Sequence, residues 1–600
     1  MCGIFGVISS QDLPLRALTQ KGCDYLAHRG PDGGGLYENG PVCFAHRRLA
    51  ILDVAQGAQP MIGGSGRYCV SYNGEIYNHL ELREELRKKG HVFHTRSDTE
   101  TLLHAYEEWG TDCLERLRGM FAFALADFER KEVFLARDRF GMKPLMYRAA
   151  PNFFAFSSEL PALTRMEGPS SLTLSAPAIM QFFTYQYIPA PHTVYSQVRK
   201  LRPAHALMVD FQGNITRQWK YWDFFFEPMP MTRDEAVARV DVALADSIRA
   251  HTLSDVPFGV YLSGGVDSTL IAMYLARLTG GTVPAFTIAF DEKEFSELEY
   301  ANVAAKRLGL ELHVGHVQSG DLNMVPDILS HYGEPYGDSS VLPTWHVAKL
   351  AREHVAVVLS GDAGDELFAG YIRYALWLEA RDALRKQMDG KTAASPGALD
   401  WQHFAYGTFF IPTKAADYLT SPLTGFAGTV GHVFGELAKE NPSYDPLELA
   451  QYIDIRTYLP ECLLPKVDVT SMWHGLEVRQ PFLDLLVWRE AARMPREHKI
   501  TPGERGKAVL KDILLRNGFE YPFVHRNKKG FAIPEAKWFM EGGPARSLLL
   551  ELLHSRRAKL AEFFNLNGIE QLLKEHSEQC NRGRNLWLIL AFACWVHNDL

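Results

Sequence analysis

The chain has 600 residues, 46% of them hydrophobic and 22% charged, with a formal net charge of −8. That length exceeds what one hydrophobic core usually serves, so two or more domains are expected; the mild acidity, with no Lys/Arg run, argues against nucleic acid or an anionic membrane surface as a partner. Eight scattered cysteines (2, 23, 43, 69, 113, 462, 580 and 594) include no C-x-x-C pair, which argues against a disulfide framework or a zinc site and for a reducing cytoplasm.

Read in chain order, the segment after Met1 lacks the basic region, apolar run and small-residue cleavage site of a signal peptide. The first two hundred or so residues read mainly as strands with helices between them. Residues 80–90 and 98–109 have helical spacing, the second opening on Asp98 as an N-cap. Met120–Asp127 and Glu132–Asp138 are apolar runs flanking a polar turn, a hairpin signal. The aromatic, Pro-containing stretch 219–232 is the expected junction, giving domains at 2–215 and 233–600. Beyond it the pattern changes to a strand at Phe258–Leu262, a Gly-rich turn, and a helix with Leu270, Ile271, Tyr274, Leu275 and Leu278 on one face. Then come a strand at Ala285–Phe290, a helix near Ser296 with a Ser296/Glu299 capping box, a strand around Leu312 and Val314, and a strand at Val355–Leu359. Strands alternating with helices indicate a parallel sheet covered on both faces. The stretches 168–198 and 418–434 lack Asp, Glu, Lys and Arg, but Pro, Gly, Ser, Thr and His break both, which argues against a membrane span.

The chemistry begins at Met1-Cys2-Gly3-Ile4-Phe5-Gly6. With Met1 removed, Cys2 carries both a thiol nucleophile and an α-amine that titrates near neutrality and serves as local base. His28-Arg29-Gly30-Pro31-Asp32, Ala45–Leu49, Asn73–Asn78, Ser97–Glu100, Arg137–Leu145 and Ser157-Ser158-Glu159 follow. With these motifs the first third resembles the class II glutamine amidotransferase domain, an N-terminal-nucleophile hydrolase, which implies an αββα sandwich. The resemblance implies that Arg48 grips the glutamine carboxylate and Asp98, helped by Glu75, its ammonium, with Leu49, Ala50, Ile51 and Leu52 completing the pocket. It also implies an oxyanion hole made by the Asn73 amide and the Gly74 N–H; a bare hairpin turn at Asn73-Gly74 is the plainer reading. His28 and His46 read as structural, because such a nucleophile needs no imidazole.

The second centre is Leu262-Ser263-Gly264-Gly265-Val266-Asp267-Ser268 at a strand-to-helix turn, where backbone N–H groups and a helix N-terminus favour an anion. It is neither a Walker A loop nor G-x-G-x-x-G, and it is similar to the pyrophosphate loop of ATP pyrophosphatases. Ser360–Tyr371, Leu464–Asp468, Leu476–Asp484 and Arg526–Phe531 extend the match over nearly the whole chain, which resembles the glutamine-dependent asparagine synthetases. That family implies ATP bound by Leu262, Ser263, Gly264, Gly265, Asp267, Ser268, Ile288, Ser360 and Gly361, and Mg²⁺ held by Asp267 and Asp365. It implies Asp362 beside an acyl-adenylate, and Lys528 (or its neighbour Lys529) stabilising the departing pyrophosphate. Small-molecule substrates (glutamine, aspartate, ATP), a cytoplasmic location and a homodimer are in keeping with the family.

Three departures stand out, the first being Asp362, which stands where some relatives use Glu and shortens the reach beside the acyl-adenylate. Ala363 replaces a usual glycine, where a methyl group would crowd any φ > 0 conformation, and Trp473 replaces a small residue, with the acceptor pocket the feature at stake. Three other readings remain open: the same machinery acting on a different carboxylate in a natural-product or cell-envelope pathway, a β-lactam-type synthetase, and an inactive paralogue. Intact Cys2, Arg48, Asn73 and Asp98 weigh against the second. Intact Cys2, Asp267, Asp365 and the Lys528 region weigh against the third.

Overall fold

The structure, a computed structural model, describes residues 2–166, 171–292, 295–387, 415–426, 432–501, 506–526 and 533–600. Lys528 and Lys529 therefore lie outside the described residues.

The first part is built on two six-stranded antiparallel sheets. One runs, edge to edge, Val198–Lys200, Met146–Ala150, Phe153–Ser157, Gly3–Ser9, Val42–Arg48 and Gly33–Asn39. The other runs Ile215–Lys220, His205–Asp210, Glu132–Arg137, Gly119–Asp127, Tyr68–Ile76 and Met61–Ile62. Ile4, Ile8 and Phe44 from the first interdigitate with Ala122, Leu135 and Leu207 from the second, so side chains from both inner faces form one core. Helices Leu15–Asp24 and Asp98–Trp109 cover the outer faces, completing an αββα sandwich. The hairpin is present as Gly119–Asp127 paired with Glu132–Arg137.

The second part holds a five-stranded parallel sheet in the order Leu312–Val317, Ala285–Phe290, Phe258–Tyr261, Val357–Leu359, Glu477–Arg479. Ala285–Phe290 is buried at every residue, as a strand covered on both faces must be. After Phe258–Tyr261 the sheet grows to one side, and later strands join on the other. The carboxyl ends of Phe258–Tyr261 and Val357–Leu359 thus flank a topological switch point, where α/β sheets bind ligands. Both Gly-rich loops begin there. No helix among the described residues is long and apolar enough to cross a membrane.

Three local expectations are corrected. The N-cap of Asp98–Trp109 is Ser97, in extended conformation, whose side chain accepts from the Thr99 N–H; the Asp98 carboxylate is thereby left to point inward. The Ser296/Glu299 capping box does not form: helix Leu298–Leu308 starts after Glu297 without a side-chain cap, and Ser296 Oγ only accepts a 3.4 Å bond from the Leu298 N–H. Leu278 is 48% exposed because helix Val266–Thr279 leaves the sheet in its last turn, whereas Leu270, Ile271, Tyr274 and Leu275 are buried.

The two parts meet through buried and half-buried ion pairs. Arg29 Nη1 donates to Glu159 Oε1 (2.7 Å) and across to Asp468 Oδ2 (2.8 Å), while its Nε donates to the Cys2 carbonyl (3.1 Å). Lys200 reaches Glu334 (2.6 Å) and Glu461 (3.4 Å). Arg118 reaches Asp484 (2.8 Å) and Asp246 (2.7 Å). Removing one member of such a buried set leaves uncompensated charge. Arg29→Met is expected to destabilise the chain by about 3–5 kcal/mol, read as a lowered urea midpoint.

Candidate active sites

Gly3–Ser9 is a central strand, so Cys2 stands at its start inside the sandwich rather than on a free tail, and is 7% exposed. Its thiol lies 3.9 Å from the Leu49 carbonyl, and burial holds it above the usual thiol range. The Cys2 N–H donates to Asn73 Oδ1 at 2.8 Å. That bond turns Asn73 so that Nδ2, also buried, has no partner among the described residues. A buried amide donor without a partner is costly, and beside a nucleophile it is what an oxyanion needs. Asn73 and Gly74 lie within strand Tyr68–Ile76, opposite Ala122 and Phe121, which removes the hairpin-turn reading. A Cβ on Gly74 would stand 2.1 Å from the Met120 carbonyl oxygen, so only glycine fits.

The loop after Arg48 is fastened from both parts of the molecule. The Ala50 N–H donates to Asp32 (2.9 Å) and the Asp53 N–H to Asp255 (2.8 Å), while the Asp255 N–H returns to the Ile51 carbonyl (3.0 Å). Leu49 and Ile51 are buried. Arg48 wraps its own loop, donating to the carbonyls of Leu52 (3.2 Å), Asp53 (2.7 Å) and Val54 (2.9 Å). Asp98 accepts from the Tyr72 hydroxyl (2.9 Å) and the Ile76 N–H (3.0 Å). His46 is fully buried against Ser71 and held neutral, its pKa pushed down to about 3 by burial; His28 pairs with Glu159 at 3.0 Å.

Burial raises both Asp98 and Glu75 above the ordinary carboxylate range, Glu75 further through Glu477. An acid with a raised pKa loses its charge at a higher pH on acidification, and an ammonium ligand needs that charge. If Asp98 and Glu75 take the ammonium of glutamine, as the sequence resemblance implies, the KM for glutamine is expected to climb as pH falls, starting above the usual carboxylate range. Asp98→Asn should raise it at every pH and flatten the profile, measured in glutaminase assays.

Two residues of the parallel-sheet part enter this site; both lie in the Leu476–Asp484 motif, which gave them no role here. Edge strand Glu477–Arg479 carries Arg479, whose Nε donates to Glu477 (2.6 Å) and whose Nη2 lies 3.5 Å from Glu75 Oε1. Two more bonds, to the carbonyls of His251 and Leu253 (2.7 Å each), lock the guanidinium in place.

At the second centre Leu262 and Ile288 are buried beneath the loops. Ser263 and Ser268 hydroxyls pair at 3.0 Å, and Arg526 Nη2 donates to the Gly264 carbonyl (3.1 Å), bracing the turn. Gly264 has φ +73°, and a Cβ there would lie 2.5 Å from the Tyr300 carbonyl carbon. The loop Ser360–Asp362 presses onto this turn: a Cβ on Gly361 would stand 2.8 Å from the Ser268 nitrogen. Ser360 Oγ donates to Asp362 Oδ2 at 2.6 Å. Ala363 takes the left-handed conformation after all, φ +73°, at a cost of roughly 1–2 kcal/mol.

Asp267 and Asp365 converge on one cation, Lys507 Nζ, which pairs with Asp267 Oδ2 and with Asp365 Oδ1 at 2.7 Å. Two hard carboxylates able to share one positive charge fit a divalent cation with phosphate oxygens as its other ligands. Nothing local in the sequence marks Lys507, which reads as one more lysine before helix Ala508–Arg516.

Near Asp362, Lys466 is buried and donates to Asp338 Oδ2 (3.0 Å) and Ser340 Oγ (2.8 Å). Burial alone would discharge it, but Asp338 and Asp362 keep it protonated. Arg584 donates to Ser339 Oγ (3.2 Å) and Gln186 Oε1 (2.6 Å). The segment 334–340, Lys466, Asp362 and Arg584 thus gather into one polar neighbourhood. Trp473 stacks on His331 at 3.7 Å and meets Trp345 edge-on. Between the two parts lies a cavity of about 50 Å³, lined by Leu145, Tyr187 and Lys200 from one and Tyr332, Glu334 and Asp468 from the other.

Residues 1–222 match the family model described as a glutamine amidotransferase domain, and residues 239–597 that of asparagine synthase. The chain is 32% identical to asparagine synthetase [glutamine-hydrolyzing] 1 of Bacillus subtilis (strain 168) over 99% of its own length and 96% of that protein. It is 34% identical to the putative asparagine synthetase [glutamine-hydrolyzing] of Mycobacterium tuberculosis (strain ATCC 25618 / H37Rv), over 99% and 97%. Among solved structures, the B. subtilis glutamine phosphoribosylpyrophosphate amidotransferase complexed with ADP and GMP matches at 16% identity. That match covers 60% of this chain and 81% of that one, with a TM-score of 0.28.

Proposed function

The chain belongs to the glutamine-hydrolysing asparagine synthetase family, and from that premise we propose how its residues divide the reaction, with units at 2–215 and 233–600. It is an ATP-dependent ligase that draws nitrogen from glutamine. ATP, aspartate, glutamine and one water become asparagine, glutamate, AMP and pyrophosphate.

In the first half-reaction the Cys2 thiol, freed of Met1, passes its proton to its own α-amine and attacks the glutamine amide carbon. The carbonyl oxygen takes up negative charge, and Asn73 Nδ2 donates to it. Ammonia leaves carrying the proton from the amine, and water releases glutamate from the thioester. Arg48 and the Leu49–Leu52 loop take the substrate carboxylate, and Asp98 and Glu75 its ammonium. The observation that carries this reading is the Cys2–Asn73 arrangement: the amide that accepts from the Cys2 nitrogen keeps a buried donor of its own without a partner among the described residues.

In the second half-reaction the aspartate side-chain carboxylate attacks the α-phosphorus of ATP, and pyrophosphate departs into the Ser263–Ser268 turn. Asp267 and Asp365 would hold Mg²⁺, which neutralises triphosphate charge. Ammonia then attacks the acyl carbon. Asp362, oriented by Ser360, takes the proton that nitrogen sheds as AMP leaves. Neutral ammonia survives only away from bulk water, and the cavity between the two units is our proposed segment of its route. We place the enzyme in the cytoplasm, where its eight cysteines, all free thiols, persist.

Purified protein given aspartate, Mg-ATP and glutamine labelled with ¹⁵N in the amide should yield labelled asparagine in step with AMP. Glutamate release without aspartate-dependent AMP would discard aspartate as the acceptor.

A further inference from the structure

Outside both centres, on the helical flank of the first part, three ligand atoms converge. His91 Nδ1 lies 3.2 Å from His104 Nδ1, His104 Nδ1 lies 3.0 Å from Glu107 Oε2, and His91 Nδ1 lies 3.5 Å from the same oxygen. Ligands of a tetrahedral Zn²⁺ at ~2.0–2.1 Å stand about 3.3–3.4 Å apart, so this triangle has the edge lengths of one face of such a site. His104 and Glu107 are placed by the helix, one turn apart on Asp98–Trp109, and His91 by the loop that follows helix His79–Lys88.

The surrounding groups fix the tautomer that metal binding requires. His91 Nε2 lies 3.1 Å from Glu108 Oε2, and Lys89 Nζ donates to the other oxygen of that carboxylate, Oε1, at 2.8 Å. A carboxylate only accepts, so Nε2 carries the hydrogen and a neutral His91 presents a bare lone pair at Nδ1. That lone pair faces a second imidazole nitrogen and a carboxylate oxygen, so either a hydrogen on His104 Nδ1 or a metal cation must sit among the three. A carboxylate bonded to the far nitrogen of a ligating histidine is the usual outer partner in zinc sites.

We propose that His91, His104 and Glu107 form a binding site for a divalent transition metal of the zinc class, with its fourth position open to water. Two imidazoles and one carboxylate suit Zn²⁺ better than Mg²⁺ or Ca²⁺, which take oxygen ligands. The ion ties the segment after Gly90 to the helix that begins at Asp98. Glu100 already gathers the rest of that segment, accepting from the N–H groups of His94 (2.7 Å) and Thr95 (2.8 Å). The site is therefore structural.

The test uses the full-length chain, stripped with EDTA, desalted and titrated with ZnCl₂ alone. Asp365→Asn serves as a control for binding at the phosphate-side carboxylates. Wild type and Asp365→Asn should each retain about one equivalent of zinc more than His104→Ala, and zinc should raise the unfolding midpoint of both but not of His104→Ala. Glu107→Gln, at an exposed position that the fold tolerates, should weaken zinc binding at least about tenfold. Cobalt substituted into the wild type should give the visible absorption of a four- or five-coordinate nitrogen and oxygen site, absent in His91→Ala. Equal zinc content and midpoint shift in wild type, His104→Ala and Glu107→Gln overturns the proposal. Failure of the wild type to retain zinc also overturns it, leaving a proton as the cation at that point.

Discussion

Cys2→Ala is expected to lower glutaminase and glutamine-dependent synthesis by about 10³-fold or more while ammonia-dependent synthesis continues. The size follows from the environment of the thiol. Burial holds it above the usual thiol range, so it reacts only when a base takes its proton, and no histidine among the described residues is hydrogen-bonded to it. In our proposal the α-amine of a mature Cys2 is that base. A chain that keeps Met1 should show the same split, since the nitrogen is then an amide. The substitution is small and leaves the Cys2 backbone bonds to Asn73 and Arg29 intact, so the unfolding midpoint should barely move. The two nitrogen sources are compared on one preparation with its intact mass checked. Full glutaminase activity in Cys2→Ala, or in chain retaining Met1, would remove the nucleophile from our mechanism.

Local chemistry was legible in the sequence wherever one short segment carries both the geometry and the group. The Gly-rich turn after Phe258–Tyr261 is of this kind, because backbone conformation and helix terminus are set within seven residues. Cap identity at Ser97 was missed by one residue because either neighbour is a good N-cap; only the pull of Tyr72 and Ile76 on Asp98 decides between them. Glu477, Arg479 and Lys507 escaped because their roles rest on pairings across the fold. Arg479 reaches Glu75 over some four hundred positions of chain, and Lys507 reaches Asp267 over 240. Ala363 shows the opposite failing: a left-handed alanine is unfavourable locally, and the loop accepts it where Gly361 and Gly364 must pass against Asp267 and Ser268.

Those same close approaches determine what happens when a phosphate-side carboxylate is lost. Gly364 lies so near Asp267 that a Cβ would stand 2.5 Å from Oδ1, and Gly370 so near Asp365 that one would stand 2.2 Å from its Oδ1. The loops therefore cannot shift to bring another acid into place. Asp365→Asn and Asp267→Asn should each cut AMP formation by about 10²–10⁴-fold with glutamine or with ammonia, because transition-state charge on the triphosphate loses its counter-ion. Glutaminase activity should stay within about twofold, since Cys2 and Asn73 touch neither residue. Each variant also leaves Lys507 facing one carboxylate in place of two. Lys507→Ala in the wild-type background should therefore lower AMP formation less than either acid variant does, while shifting the Mg²⁺ dependence. AMP formation at the wild-type rate in Asp365→Asn would show that the two aspartates serve the fold and not the nucleotide.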